Sequence, residues 1–116
     1  MSVVTTVMLH VDTVEGGVTL DAINRWFAEQ RVGLLMDNTN ADGAWGGGKA
    51  PQVRVYAGAF NYLHAEEMMA YLTALPWEIP ESVQLLVNGE HDTRFAVYVL
   101  EADRGWRQLC DAGGPA

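Results

Sequence analysis

The run Val3-Val4-Thr5-Thr6-Val7-Met8-Leu9-His10-Val11 constrains the fold of this chain more than any other segment. Side chains branched at Cβ lose rotamer freedom in a helix and sit well on a pleated surface, so the run predicts a strand over residues 3–11. Alternation places Val3, Thr5, Val7, Leu9 and Val11 on one face and Val4, Thr6, Met8 and His10 on the other. Neither set is strongly polar. A strand of this kind belongs in the middle of a sheet that is covered on at least one side.

The rest of the chain supplies its neighbours. Glu15-Gly16-Gly17 is a turn signal, and Thr19 can cap a helix over 20–31 with Asp21 in its first turn. Leu20, Ile23 and Phe27, with Trp26 beside them, make its apolar stripe. Val32-Gly33 stops it, and Leu34-Leu35-Met36 begins a short second strand. Residues 37–51 form a Gly- and Asn-rich loop closed by Pro51. A third strand follows at 52–60, then a helix over 62–75 capped by Asn61 and ended by Pro76. Strands at 82–88 and 93–101 form a hairpin around Gly89-Glu90-His91-Asp92, and a short helix is expected at 101–110.

The order β-α-β-β-α-β-β predicts an α+β sandwich, an antiparallel sheet with both helices on one face. With 116 residues, 49% of them apolar and 19% charged, the chain is one domain's worth of globular sequence. We assign residues 1–110 to a single domain and 111–116 to a flexible C-terminal tail.

Charge limits the partners. Seven Lys and Arg stand against fifteen Asp and Glu, for a formal charge of -8, and the basic residues are scattered. Nucleic acid and anionic membrane surfaces both select clustered cations, so neither is expected as a partner. The single cysteine, Cys110, permits no internal disulfide, and the start of the chain lacks the basic and apolar regions of a signal peptide, so the expected location is cytoplasmic.

No motif fixes a chemistry. Gly43 to Lys49 satisfies GxxxxGK, but Ala50 lacks the hydroxyl that would hold magnesium, and Pro51 with the strand after it leaves no helix for a phosphate. His10, His64 and His91 show no helix-borne metal spacing. Cys110 has no histidine near it, and no serine sits in a GxSxG turn. We therefore assign no catalytic residue, no metal site and no cofactor.

The functional expectation rests on a surface. If the helices cover the side holding Val7, Leu9, Val55 and Ala57, the reverse carries Thr6, Met8, His10, Arg54, Tyr56 and Phe60, joined by Leu85 or Leu86, Tyr98 and Leu100. Such a face is too apolar to stay bare, unless the segment around Trp106 and Leu109 folds back over it. The leading expectation is a small acidic, non-enzymatic interaction or regulatory protein. It would act through that face and the 37–51 loop, with Trp45, Tyr56 and Phe60 as anchors, on a homodimer mate or another protein. The alternative is a small enzyme or ligand-binding module with a cavity lined by His10, Arg54, Tyr56 and Tyr98, where His10 would serve as acid or base and Arg54 would hold an anionic group of a small-molecule ligand.

Element order and length resemble the ferredoxin-like superfold and its dimeric α/β-barrel relatives over about residues 3–100. That class includes small monooxygenases, isomerases and ligand-binding regulators, and such superfolds host unrelated functions. The segment Arg54 to Phe60 is similar to the aromatic strand of RNA-recognition domains, although its residue order differs and the chain is acidic. Small size, acidity and lack of motifs suit a phage-encoded or accessory bacterial protein.

Overall fold

The computed structural model describes residues 3–38 and 47–113. Its elements in chain order are β1 (Val4–Asp12), α1 (Leu20–Gln30), β2 (Met36–Asp37), β3 (Val53–Asn61), α2 (Ala65–Thr73), a single 3-10 turn (Pro80–Ser82), β4 (Gln84–Gly89), β5 (Ala96–Glu101) and β6 (Gly105–Cys110). The six strands form one open sheet in the order β2-β3-β1-β4-β5-β6, antiparallel at every pair. This α+β arrangement is compatible with a ferredoxin-like kind of fold. Among the described residues, no helix is long and apolar enough to cross a membrane.

The expectation for β1 holds: it pairs on both edges, with β3 and β4. Its odd-numbered face is the one the helices cover. Val7, Leu9 and Val11 pack with Ile23, Trp26 and Phe27 of α1 and with Met68 and Leu72 of α2 in one core. Thr19 caps α1 as expected, its hydroxyl accepting from the Ala22 N–H at 3.1 Å. Aromatic side chains then tie the layers together through their polar ends. The Tyr71 hydroxyl donates to the Ala22 carbonyl at 2.6 Å and joins α2 to α1, and Trp106 Nε1–H donates to the Met69 carbonyl at 2.9 Å and joins β6 to α2.

Three expectations need correction. Residues 101–110 are not a helix. Arg104 N–H closes a turn onto the Glu101 carbonyl, Gly105 takes a positive φ of 78°, and the chain returns as β6 beside β5. The apolar residues there serve a period of two. The expected strand at 34–36 shrinks to Met36–Asp37, because the Asn24 side-chain amide holds the backbone of Leu35 from both sides, accepting from its N–H at 2.9 Å and donating to its carbonyl at 3.0 Å. Helix α2 starts at Ala65, not at 62, because Tyr62 adopts a left-handed φ of 59°, which a helix cannot include.

Glu15 is the buried charged residue among those described. Its carboxylate accepts from the N–H groups of Gly17 at 2.6 Å, Ile79 at 2.7 Å and Glu78 at 3.1 Å, and so pins the β1–α1 turn to the segment after α2. Burial alone would raise its pKa. The backbone donors of Ile79, Glu78, Gly17 and Val18 outweigh burial and leave it below the usual glutamate value. The start of the expected tail is also held: Thr93 and Arg94 donate from their backbone N–H to the Ala112 carbonyl, and Arg94 pairs with Asp111 at 2.6 Å.

Candidate functional site

Register decides what lies on the uncovered side of the sheet. Thr5 pairs with Phe60, Leu9 with Tyr56 and Val11 with Arg54, while Met8 pairs with Ala57 and His10 with Val55. Paired residues share a face. Tyr56 and Phe60 therefore stand under the helices, and Val55 and Ala57 take the reverse. The expected grouping of Val7 and Leu9 with Val55 and Ala57 is wrong by one residue of register.

The correction reaches most of the expected site residues. Tyr56 is 4% exposed and Phe60 is 2% exposed, both in the core. The Phe60 ring stacks on Phe27 with centroids 5.0 Å apart. It lies across Gly58, where a methyl group would run into it, which is why the strand has a glycine there. Tyr98 pairs with Leu85 and Gln108 and packs against the same core, and Leu100 is buried there too. Arg54 shares their side but is exposed at the end of β3. Thr6, Met8 and His10 face the open side as expected; His10 is half-buried there, and burial lowers its pKa. His10 and Tyr56 thus lie on opposite sides of the sheet and line no common cavity. Trp45 and the first four residues of the GxxxxGK string lie outside the described residues; Lys49 is followed by no helix before β3.

The open side has an order of its own. Met36 pairs with Ala57, Ala57 with Met8, Met8 with Leu86, Leu86 with Val97 and Val97 with Cys110. One rung of apolar side chains thus crosses all six strands. A second rung, Val55, His10, Gln84, Val99 and Arg107, lies beside it, and Ala59, Thr6 and Asn88 flank it on the other side. None of these residues belongs to the helix-covered core. Trp106, expected to fold back over this face, points to α2 instead. The Arg107 guanidinium, on this face, meets the Glu101 carboxylate at 3.0 Å, and Asp12 stands at the same face's edge opposite Val53, so charge is confined to one border of the rung.

A cleft of about 490 Å³ opens elsewhere, where the C-terminal end of α1 meets the connection from β3 to α2. Trp26, Gln30, Arg31, Asn61, Tyr62 and His64 are on its walls. No sequence signal marked it, because its residues come from two segments that carry no motif. Among the described residues, no group of three His, Cys, Asp or Glu is placed to hold a metal ion. Comparison with protein-family models, with curated proteins and with solved structures finds no match to this chain.

Proposed function

We propose that this chain is a non-enzymatic interaction protein that associates with a second copy of itself, open sheet face against open sheet face. The observation that carries this reading is the apolar rung from Met36 to Cys110 across all six strands, with no helix among the described residues above it. A rung that crosses the full width of a sheet is matched onto its copy by a two-fold axis normal to that rung. Strands about 4.8 Å apart and roughly 20–30 Å long give a footprint on the order of 600 Å² before side-chain relief is added, close to the roughly 800 Å² per partner of a standard interface. The uncharged rung supports a like partner, since two acidic chains can meet along it with Glu101 paired to Arg107 at its border.

In topology, the order β4-β1-β3-β2 with two crossing helices follows the ferredoxin-like pattern, which β5 and β6 then extend. Face-to-face pairing is also what the resemblance to dimeric α/β barrels implies. The cavity alternative lacks support because its residues stand on opposite sides of the sheet.

The test is mass in solution at two concentrations, for the wild-type chain and for Met8→Glu and Leu86→Glu. The expected result is a dimer that both charged variants convert to a folded monomer. A wild-type chain that stays monomeric at every concentration, or a dimer that both variants leave intact, overturns the proposal.

A further inference from the structure

We infer that the cleft between the end of α1 and the β3–α2 connection is a binding site for a small planar organic anion, an aromatic carboxylate by class. This inference does not rest on the dimer, although the cleft reaches the border of the open face at Ala59.

Charge is the first argument. The chain has fifteen acidic residues and seven basic ones, yet no Asp or Glu borders this cleft among the described residues. Arg31, His64, Gln30 and Asn61 border it instead. Glu66 and Glu67 border an adjoining depression at the start of α2, on the far side of His64, which lines both. An arginine fork with two neighbouring amides is suited to a carboxylate, which accepts two parallel N–H bonds from it.

Backbone conformation is the second. Arg31 (φ 58°) and Tyr62 (φ 59°) are the non-glycine residues with positive φ among those described, and both line this cleft. Arg31 is the C-cap of α1, a left-handed position that glycine fills at lower cost. Strained positions persist where the surrounding structure holds them, and they cluster at ligand clamps. Here the strain falls on the one guanidinium and the one exposed phenol ring of the site.

Shape and lining are the third. A volume of about 490 Å³ suits a small molecule. Tyr62 is 66% exposed and offers an aromatic body ring surface to meet while its carboxylate reaches Arg31, whereas Trp26, 7% exposed, shows only the edge of a core side chain.

The test is titration of the whole chain with benzoate, followed by backbone amide NMR shifts, beside cyclohexanecarboxylate and benzyl alcohol as probes lacking the ring or the charge. Benzoate is expected to shift residues 30–32 and 59–64 in a saturable way, with a Kd on the order of 1 mM for so small a ligand. The other two probes should bind several-fold more weakly. Arg31→Gly should lower benzoate affinity about tenfold while the thermal midpoint holds or rises, because glycine relieves the left-handed cap. Tyr62→Asn should weaken benzoate more than cyclohexanecarboxylate. Absence of saturable shifts in the wild-type chain up to ~20 mM benzoate overturns the inference, as does equal affinity in Arg31→Gly.

Discussion

The two sides of this sheet are both rich in apolar side chains and have opposite fates. On one side Leu9, Tyr56, Phe60 and Leu85 are sealed under two helices. On the other Met8, Ala57, Leu86 and Val97 form a rung that no helix covers. What separates them is bulk. The covered side carries the aromatic rings that pack with α1 and α2, and the open rung carries aliphatic and sulfur-bearing side chains. Burial on the first side stabilises the monomer; on the second, no helix among the described residues lies over the rung.

The sharpest break of that contrast comes from the covered side. Phe27→Ala removes the ring that stacks on Phe60 at 5.0 Å and meets Trp26 edge-on at 5.1 Å. It should cost about 3–5 kcal/mol in chemical denaturation. The charged variants on the open side should cost under about 1 kcal/mol in the monomer by the same measurement. Equal losses on the two sides would erase the distinction.

Glu15→Gln comes next, at about 1.5–3 kcal/mol, since charge-assisted acceptance from three backbone donors is lost. Its pH dependence has a definite sign. The carboxyl pKa is lowered in the folded chain, so the stability it contributes is complete above the usual glutamate value of 4.5 and drains away as pH falls through the lower folded value. Denaturation midpoints between pH 6 and pH 3 should therefore converge for wild type and Glu15→Gln.

The smallest effect concerns His10. Burial depresses its pKa, so the folded chain resists protonation and loses a little stability as pH drops below the ordinary value of 6.5. Covering the open side with a second copy removes more water from the imidazole. Its NMR titration should therefore move to lower pH as protein concentration rises. A midpoint independent of concentration would place His10 outside any interface.

The sequence made the elements legible and left their relative register obscure. Strand β1, helix α1 with its Thr19 cap and the β4–β5 hairpin follow from local periodicity. The facing of β3 does not, because Val53, Val55, Ala57 and Ala59 alternate with Arg54, Tyr56, Gly58 and Phe60, and both sets are apolar enough to be core. The one available hint was volume: two rings flanking a glycine need the deep side of the sheet. Residues 101–110 misled for a related reason, since a ten-residue stretch holding Trp106, Leu109 and Cys110 fits a short helix until Gly105 is seen to be a turn. The roles of Glu15 and of the Arg31 cleft depend on partners distant in the chain, which spacing along a sequence does not reveal.

Pairwise alternation across six strands also limits how this chain can drift. One residue added inside β1, β3, β4 or β5 would swap that strand's two sets of side chains, sending bulky groups outward and small ones beneath the helices. Length changes should be tolerated between strands and purged from the strands themselves.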